Sequence, residues 1–309
     1  MSATSPIAGM LITGATGYIG RNLCKRLNEE GVAFRVLTRG PLEGLELCMQ
    51  HVGSINDALT VDMAVAKSDL VIHLACMALP ECQLDTEGCF AVNVIGTENV
   101  ARSCVRHGVS MLLVSTSEVY GSKTELPIGE DDEKEPNSTY GVNKLQAELS
   151  CHEWGRNDGL RYRIIRFFNI YGPAADGSPR RTVETIFLDS ARRGLPMKIM
   201  GNASSSRDFL YIDDAITALM DSALQFAEFA GETFNIASGY ECSLSELAHL
   251  VCELTGKSFD DLVSVEETGL PIRYCADISR ARLQLAFEPK VDLREGLRRV
   301  LNSLSPLQA

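Results

Sequence analysis

Thr13-Gly14-Ala15-Thr16-Gly17-Tyr18-Ile19-Gly20 follows a short apolar run, Met10 to Thr13, and opens a stretch of helical period, Tyr18 to Glu30. Glycines in such a turn let the backbone bend tightly, bring a pyrophosphate against the main chain and pack the helix on the strand. The phosphates then sit at the positive helix N-terminus. Gly14, Gly17 and Gly20 fit these three roles, with Tyr18 and Ile19 between them, and predict a dinucleotide site.

Working outward, Ala33 to Thr38, Leu70 to Leu74, Ser110 to Ser115 and Arg161 to Arg166 are short runs rich in Leu, Ile and Val, as strands buried on both faces should be. Helical patterns separate them at Thr86 to His107 and Ser138 to Trp154. Repeated βαβ order requires a parallel sheet with right-handed crossovers, which predicts an α/β, Rossmann-type doubly wound fold. After Gly172-Pro173 the pattern becomes irregular, then returns to αβ order at Ile212 to Phe229 and Thr233 to Ile236. Later helical patterns lie at Ser243 to Leu254, Ile278 to Leu285 and Leu293 to Leu304. The expected division is a dinucleotide domain over 1–172, to which 209–238 returns. A smaller interleaved C-terminal lobe, 173–208 and 239–309, would bind substrate.

The 309 residues are enough for about two structural units. No segment approaches the ~18 uninterrupted apolar residues of a membrane helix. Met1 to Met10 lacks a basic and then apolar leader pattern, so a cytoplasmic protein is expected. With 29 Lys and Arg against 41 Asp and Glu, the formal charge of −12 argues against nucleic-acid and anionic-membrane partners. The ten cysteines include no C-x-x-C pair and several lie in apolar runs, so they read as reduced core thiols. Five scattered histidines lack metal-ligand spacing, and no metal is expected.

Tyr140-Gly141-Val142-Asn143-Lys144 opens a helix, where residues four apart share a face. A neighbouring ammonium and a positive nicotinamide would favour the phenolate of Tyr140 and make it a base. Ser115-Thr116-Ser117-Glu118-Val119-Tyr120-Gly121 leaves the strand begun at Ser110, at the end where an open parallel sheet binds ligands. At the end of the second strand stands Thr38-Arg39, where an NAD site usually has an acid for the ribose hydroxyls. Arginine suits a 2′-phosphate or stacks on adenine, and NADP is favoured over NAD.

Together GATGYIG, STSEVYG, YGVNK, RFFNIYGP and SSRDFLYIDD resemble the extended short-chain dehydrogenase/reductase family, in its NAD(P)-dependent nucleotide-sugar epimerase/dehydratase branch. The resemblance covers nearly the whole chain. It implies Tyr140 as catalytic base, Lys144 lowering its pKa and holding the nicotinamide ribose, and Thr116 hydrogen-bonding the reacting sugar hydroxyl. Leu74, Ala75, Asn93 and Ser115 would line the cofactor. Asn169 and Arg207 resemble contacts to the substrate diphosphate, with Arg273 a second phosphate contact or a surface arginine and Ser117 beside the substrate. The smaller lobe would then bind a nucleotide diphosphate sugar, and the Thr86 to His107 and Tyr140 helices would pair in a homodimer. Two departures stand out: Gly53-Ser54 replaces a Gly-Asp that contacts adenine in relatives, and Leu74-Ala75-Cys76-Met77 replaces a smaller alanine pair.

The implied first step takes the C4 hydroxyl proton to Tyr140 as hydride leaves for the nicotinamide, giving a 4-keto sugar whose C5 hydrogen is acidified. Glu118 would then serve as C5 acid or base. Epimerisation, dehydration, decarboxylation and reduction of a pre-formed 4-keto sugar remain open. Decarboxylation ranks last, because Arg207-Asp208-Phe209 is kept. A non-catalytic NADP-binding sensor would be expected to have lost the Tyr140 and Lys144 pair.

Overall fold

The computed structural model describes residues 9–304, apart from 179, 229, 267 and 270. The chain begins with β1 (Met10–Thr13), α1 (Tyr18–Glu29), β2 (Phe34–Thr38), β3 (Cys48–Val52), α2 (Ala58–Val65) and β4 (Leu70–His73). Then come α3 (Leu79–Leu84), α4 (Thr86–Phe90), a π-helical turn (Ala91–Ile95), α5 (Gly96–His107), β5 (Ser110–Thr116), α6 (Thr139–Asp158) and β6 (Tyr162–Phe167). The later chain supplies β7 (Asn169–Tyr171), α7 (Val183–Arg193), β8 (Met197–Met200), β9 (Ser206–Tyr211), α8 (Ile212–Leu224) and β10 (Thr233–Ile236). It ends with β11 (Glu241–Ser243), α9 (Leu244–Thr255), α10 (Phe259–Leu262), β12 (Val263–Glu266), α11 (Ser279–Leu285) and α12 (Leu293–Ser303).

Among the described residues the main sheet has seven strands in the order β10-β6-β5-β4-β1-β2-β3. All its pairings are parallel. The chain runs outward from β1 to β3 and crosses back to β4, so strand order reverses between β1 and β4. That reversal opens a crevice at the strands' carboxyl ends, where ligands of doubly wound folds bind. Neighbouring strand residues face opposite layers: Ile12, Ile72, Leu112 and Ile165 join the core beneath α1 and α8, while Leu11, Val71, Leu113 and Ile164 join the core beneath α5 and α6. On α1 the buried residues Gly20, Leu23, Cys24 and Leu27 recur at helical spacing and form its core face.

β9 lies outside the main sheet, between β7, with which it is parallel, and β11, with which it is antiparallel. β8 and β12 form a parallel pair. The expected helix Thr86 to His107 is continuous in direction but passes through the π-helical turn at Ala91–Ile95.

The reading of all ten cysteines as reduced core thiols is corrected in two ways. Cys82 and Cys89 form a disulfide, because α3 and α4 meet at Asp85 and bring the two α-carbons to 4.9 Å. Cys76 is exposed, and Cys48 and Cys242 are only half-buried. Cys24, Cys104, Cys151, Cys252 and Cys275 are free and buried.

Candidate active site

The glycine-rich turn has the shape of a phosphate cradle. Gly14 has φ +72°, and a Cβ there would lie 2.5 Å from the Ala75 nitrogen. A Cβ on Gly20 would fall 2.3 Å from the Gly14 carbonyl, so only hydrogen lets α1 approach the turn. A Cβ on Gly17, by contrast, would have that carbonyl as its nearest neighbour at 3.3 Å, which leaves the space over the helix start open. Gly17 supplies no side-chain cap, and the first turn of α1 carries no acid. The first N–H groups and the positive helix end therefore point at an open site, the condition for binding a diphosphate. These residues fit a dinucleotide.

The loop following β4 lies against the glycine-rich turn, and a chain of hydroxyls and imidazole fixes it. The Ala75 N–H donates to Thr13 Oγ1 at 3.2 Å. Thr13 Oγ1 lies 2.7 Å from His73 Nδ1, His73 Nε2 lies 3.0 Å from Thr97 Oγ1, and Thr97 donates to the Asn93 carbonyl at 2.7 Å. Since Thr97 gives its only proton to that carbonyl, His73 must donate from Nε2 and accept from Thr13 at Nδ1. One neutral tautomer satisfies every group. Burial, aided by the Lys144 charge, pushes the His73 pKa down to about 3. Asn93 clamps the Met77 backbone from both sides, accepting from its N–H at 2.7 Å and donating to its carbonyl at 3.1 Å. Its amide, with that of Asn143, also lies against the Cys89 sulfur, at 3.3 and 3.2 Å.

β5 and α6 carry the candidate reacting groups. Tyr140 is half-buried in the first turn of α6, which Ser138 caps by accepting the Gly141 N–H at 3.0 Å. Its neighbour Gly141 lies against the Glu118 backbone, which sets Tyr140 beside the end of β5. Burial raises the phenol pKa above its ordinary range, Cys76 and Glu118 add to this, and Thr116 opposes it, so the phenol carries its proton here. Lys144 is buried and donates to the Val114 carbonyl at 2.6 Å. Burial lowers its pKa, while Cys76 and Glu148 counteract this. Glu118 is half-buried in the 3-10 turn Ser117–Val119, which Thr116 caps at 3.3 Å. Burial raises its carboxyl pKa, opposed by Arg207.

Beneath these groups runs a buried polar chain. Arg166 grips Glu148 of α6 with two arms, at 3.0 and 2.7 Å, and also donates to Tyr120 Oη at 2.7 Å and the Glu130 carbonyl at 2.9 Å. Tyr120 donates to Asn235 Oδ1 at 2.7 Å, and Asn235 binds the Glu130 carboxylate and the Ile128 carbonyl. Ser115 is buried with its hydroxyl on Glu148 at 2.5 Å, so its side chain is tied to this chain.

Arg207 on β9 is half-buried, held by the Ser206 and Ile272 carbonyls at 2.8 and 3.2 Å, and lies 5.2 Å from the Tyr274 ring. The buried Asp208 beside it is structural: it accepts from Ser238, Gly239 and Ala276 backbone N–H groups. Arg273 makes a two-armed pair with Glu241, both contacts at 2.7 Å. Asn169 is exposed at the start of β7, and Ser117 is buried. Leu74 is half-buried beside Ala75. Arg39 is exposed just after β2 and makes no ion pair among the described residues.

A parallel sheet reversing beside an uncapped glycine-rich helix start, with tyrosine and lysine one turn apart at the crevice, defines an enzyme that uses a nicotinamide dinucleotide. The chain belongs to the NAD dependent epimerase/dehydratase family, whose pattern it matches over residues 10–237. It is 31% identical to UDP-glucuronic acid decarboxylase 1 of Arabidopsis thaliana over 95% of this chain and 69% of that protein. It is 29% identical to dTDP-glucose 4,6-dehydratase of Streptomyces antibioticus over 95% and 91% of the two chains. The structure of UDP-glucose 4-epimerase from Thermotoga maritima with UDP-glucose superposes with a TM-score of 0.84, at 28% identity over 95% of this chain and 97% of that one.

Sequence reasoning did not single out His73, Glu148, Arg166, Tyr120, Asn143, Asn235 or Tyr274. The available signal was polarity inside apolar strands: His73 ends Leu70–His73 and Arg166 interrupts Tyr162–Phe167, and a buried charge inside a strand must have a partner.

Proposed function

We propose that the protein is an NAD(P)-dependent nucleotide-sugar epimerase or dehydratase that oxidises its sugar at C4 to a 4-keto intermediate. The observation that carries this reading is the close approach of Gly141, the neighbour of Tyr140, to the Glu118 backbone, which brings the tyrosine to the carboxyl end of β5 beside Thr116 and Glu118. Tyr140 removes the C4 hydroxyl proton, Thr116 holds that hydroxyl, and Lys144 holds the nicotinamide ribose and favours the phenolate once the cofactor is present. When bound, the nicotinamide supplies the hydride acceptor. Glu118 exchanges the C5 proton, for which a carboxyl pKa raised by burial is suited. Gly14, Gly17, Tyr18, Ile19 and Gly20 surround the cofactor phosphates, and Leu74, Ala75, Asn93 and Ser115 complete that wall. Asn169 and Arg207 take the substrate diphosphate, ahead of Arg273, which Glu241 already holds. Residues 173–208 and 239–309 act as the substrate lobe.

Arg39 favours NADP, because a guanidinium at the end of β2 without an ion pair among the described residues complements a 2′-phosphate. The same observation supports a second reading, NADPH-dependent reduction of a nucleotide 4-keto sugar. Among the described residues no helix is long and apolar enough to cross a membrane. Phe90 and Ile95, with Val142 and Leu149 seven residues apart on α6, are exposed apolar side chains on the α4 to α6 layer. They suit a second copy of the chain, and Leu149→Glu would then elute as a monomer in size-exclusion chromatography.

Mass spectrometry of products from UDP-, GDP-, dTDP- and CDP-sugars with NAD or NADP and no added reductant tests the reaction. Loss of one water identifies dehydration, and unchanged mass with altered stereochemistry identifies epimerisation. Substantial cofactor reduction by Tyr140→Phe would sink the assignment of the base.

A further inference from the structure

The segment that leaves β7 does not run free over the surface; α1 fastens it at three points. Tyr18, first residue of α1, donates its hydroxyl to the Gly172 carbonyl at 3.1 Å. Lys25, two turns on, donates to the Ala175 carbonyl at 3.2 Å. Beyond both in sequence, the Arg180 guanidinium covers the Tyr18 ring at 3.7 Å from its centroid, well inside the ~6 Å reach of a cation over a ring. Both ends of the segment are fixed. Gly172 has φ +129° and abuts Ile212, so that a Cβ there would come to 2.7 Å. Arg180's carbonyl accepts from the Thr182 N–H at 3.1 Å as the chain enters α7.

The charge arrangement is informative. Arg180 is placed at the positive end of α1, whose first turn contains no acid and whose start is uncapped. A cation gains nothing from that end of a helix. The nearby buried Glu184 is coupled to Arg180, but its carboxylate is hydrogen-bonded to Thr182. An anion over Gly17 would be complemented by both the helix end and the guanidinium.

We infer that residues 172–178 and 180–182 form a strap across the phosphate end of the dinucleotide site, and that Arg180, stacked on Tyr18, is the positioning residue that sets how long the cofactor stays bound. The inference rests on the dinucleotide reading of the glycine-rich turn. Opening the strap requires breaking the Arg180 to Tyr18 stack, so cofactor release is slowed while the sugar side of the crevice exchanges freely. An enzyme that must return a hydride to the same intermediate benefits from holding its cofactor through the whole cycle.

The test follows release of bound NAD or NADP from the complete protein by rapid desalting and chromatographic assay of the retained nucleotide. Arg180→Ala and Tyr18→Ala should each speed release about tenfold, and the double variant should be no faster than either single one. Tyr18→Phe keeps the ring and should stay nearer the wild-type rate than Tyr18→Ala, whereas Arg180→Lys should release quickly because it keeps the charge but loses the flat stack. Thermal midpoints of Tyr18→Phe and Arg180→Lys measured without cofactor should stay near wild type. Wild-type release by Arg180→Ala, additive effects in the double variant, or a changed sugar KM with unchanged cofactor release would each overturn the strap. Failure of the wild-type protein to bind either nucleotide would overturn the dinucleotide reading itself.

Discussion

Gly141 lies so close to the backbone of Glu118 that a Cβ on it would meet the Glu118 carbonyl oxygen at 2.6 Å. Glycine between Tyr140 and Val142 is therefore what lets α6 press its first turn against the segment bearing Thr116 and Glu118. Gly141→Ala should displace Tyr140 from Thr116. Turnover should fall at least tenfold, and stability by about 1–3 kcal/mol as for other overpacked sites. Steady-state kinetics and a denaturant titration check the two halves, and full turnover in this variant would mean that the contact does not position Tyr140.

Glu118 separates the candidate chemistries. Glu118→Gln should retain Tyr140-dependent cofactor reduction but lose the following C5 step, since an amide cannot accept that proton, and reduced cofactor should accumulate. Native enzyme in D₂O should place deuterium beside the ketone. Full activity of the variant with no deuterium in the product would make Glu118 structural and leave simple C4 epimerisation or ketoreduction.

Arg39→Asp should weaken NADP and spare or improve NAD, because the carboxylate repels a 2′-phosphate and accepts from the ribose hydroxyls. Calorimetric titration with both nucleotides reads the change, and an unaltered NADP affinity would remove Arg39 from the site.

His73 makes the fold sensitive to acid. Its pKa lies near 3 in the native state, against an ordinary value of about 6.5 in an unfolded chain. Between those values the unfolded chain carries a proton that the native one refuses, so the contribution of this site is complete above about 6.5 and is lost as pH falls toward 3. Its slope is on the order of 1.4 kcal/mol per pH unit within that window. Denaturant unfolding at a series of pH values should show a shallower decline in His73→Asn than in wild type, and identical slopes would remove His73 as the source.

β1 at Met10–Thr13 and β10 at Thr233–Ile236 are legible in sequence because buried parallel strands are short, apolar and bounded by polar turns. α1 is legible because the glycines announce its start. The three-residue β7 is not: in RFFNIYG it follows β6 after a single residue, and its partner β9 lies some forty residues away. The π-helical turn at Ala91–Ile95 is equally hidden, since Asn93's partner is the Met77 backbone. The chemistry of the candidate site is easier to see than its support. Tyr140 and Lys144 are neighbours on one helix, but the Glu148 and Arg166 pair and the His73 relay join elements whose proximity depends on the folded sheet, and the Cys82 to Cys89 bridge depends on the bend at Asp85 where α3 meets α4. Arg273 illustrates the limit, because the sequence offers a cation and only the fold shows Glu241 already gripping it.

The hydrogen-bonded chain through Arg166 constrains how this protein can diverge. Glu148→Met alone leaves a buried guanidinium without its carboxylate, a change that typically costs about 3–5 kcal/mol, whereas Glu148→Met with Arg166→Met removes both charges together. The double change should therefore be milder than the sum of the single ones, and a double-mutant cycle giving simple additivity would contradict this. Glu148 sits on the helix that bears Tyr140, and Arg166 on the strand beside the one that bears Thr116. Descendants of this sequence are thus expected to inherit Glu148, Arg166, Tyr120 and Asn235 as a block, with drift at any one member filtered by the other three.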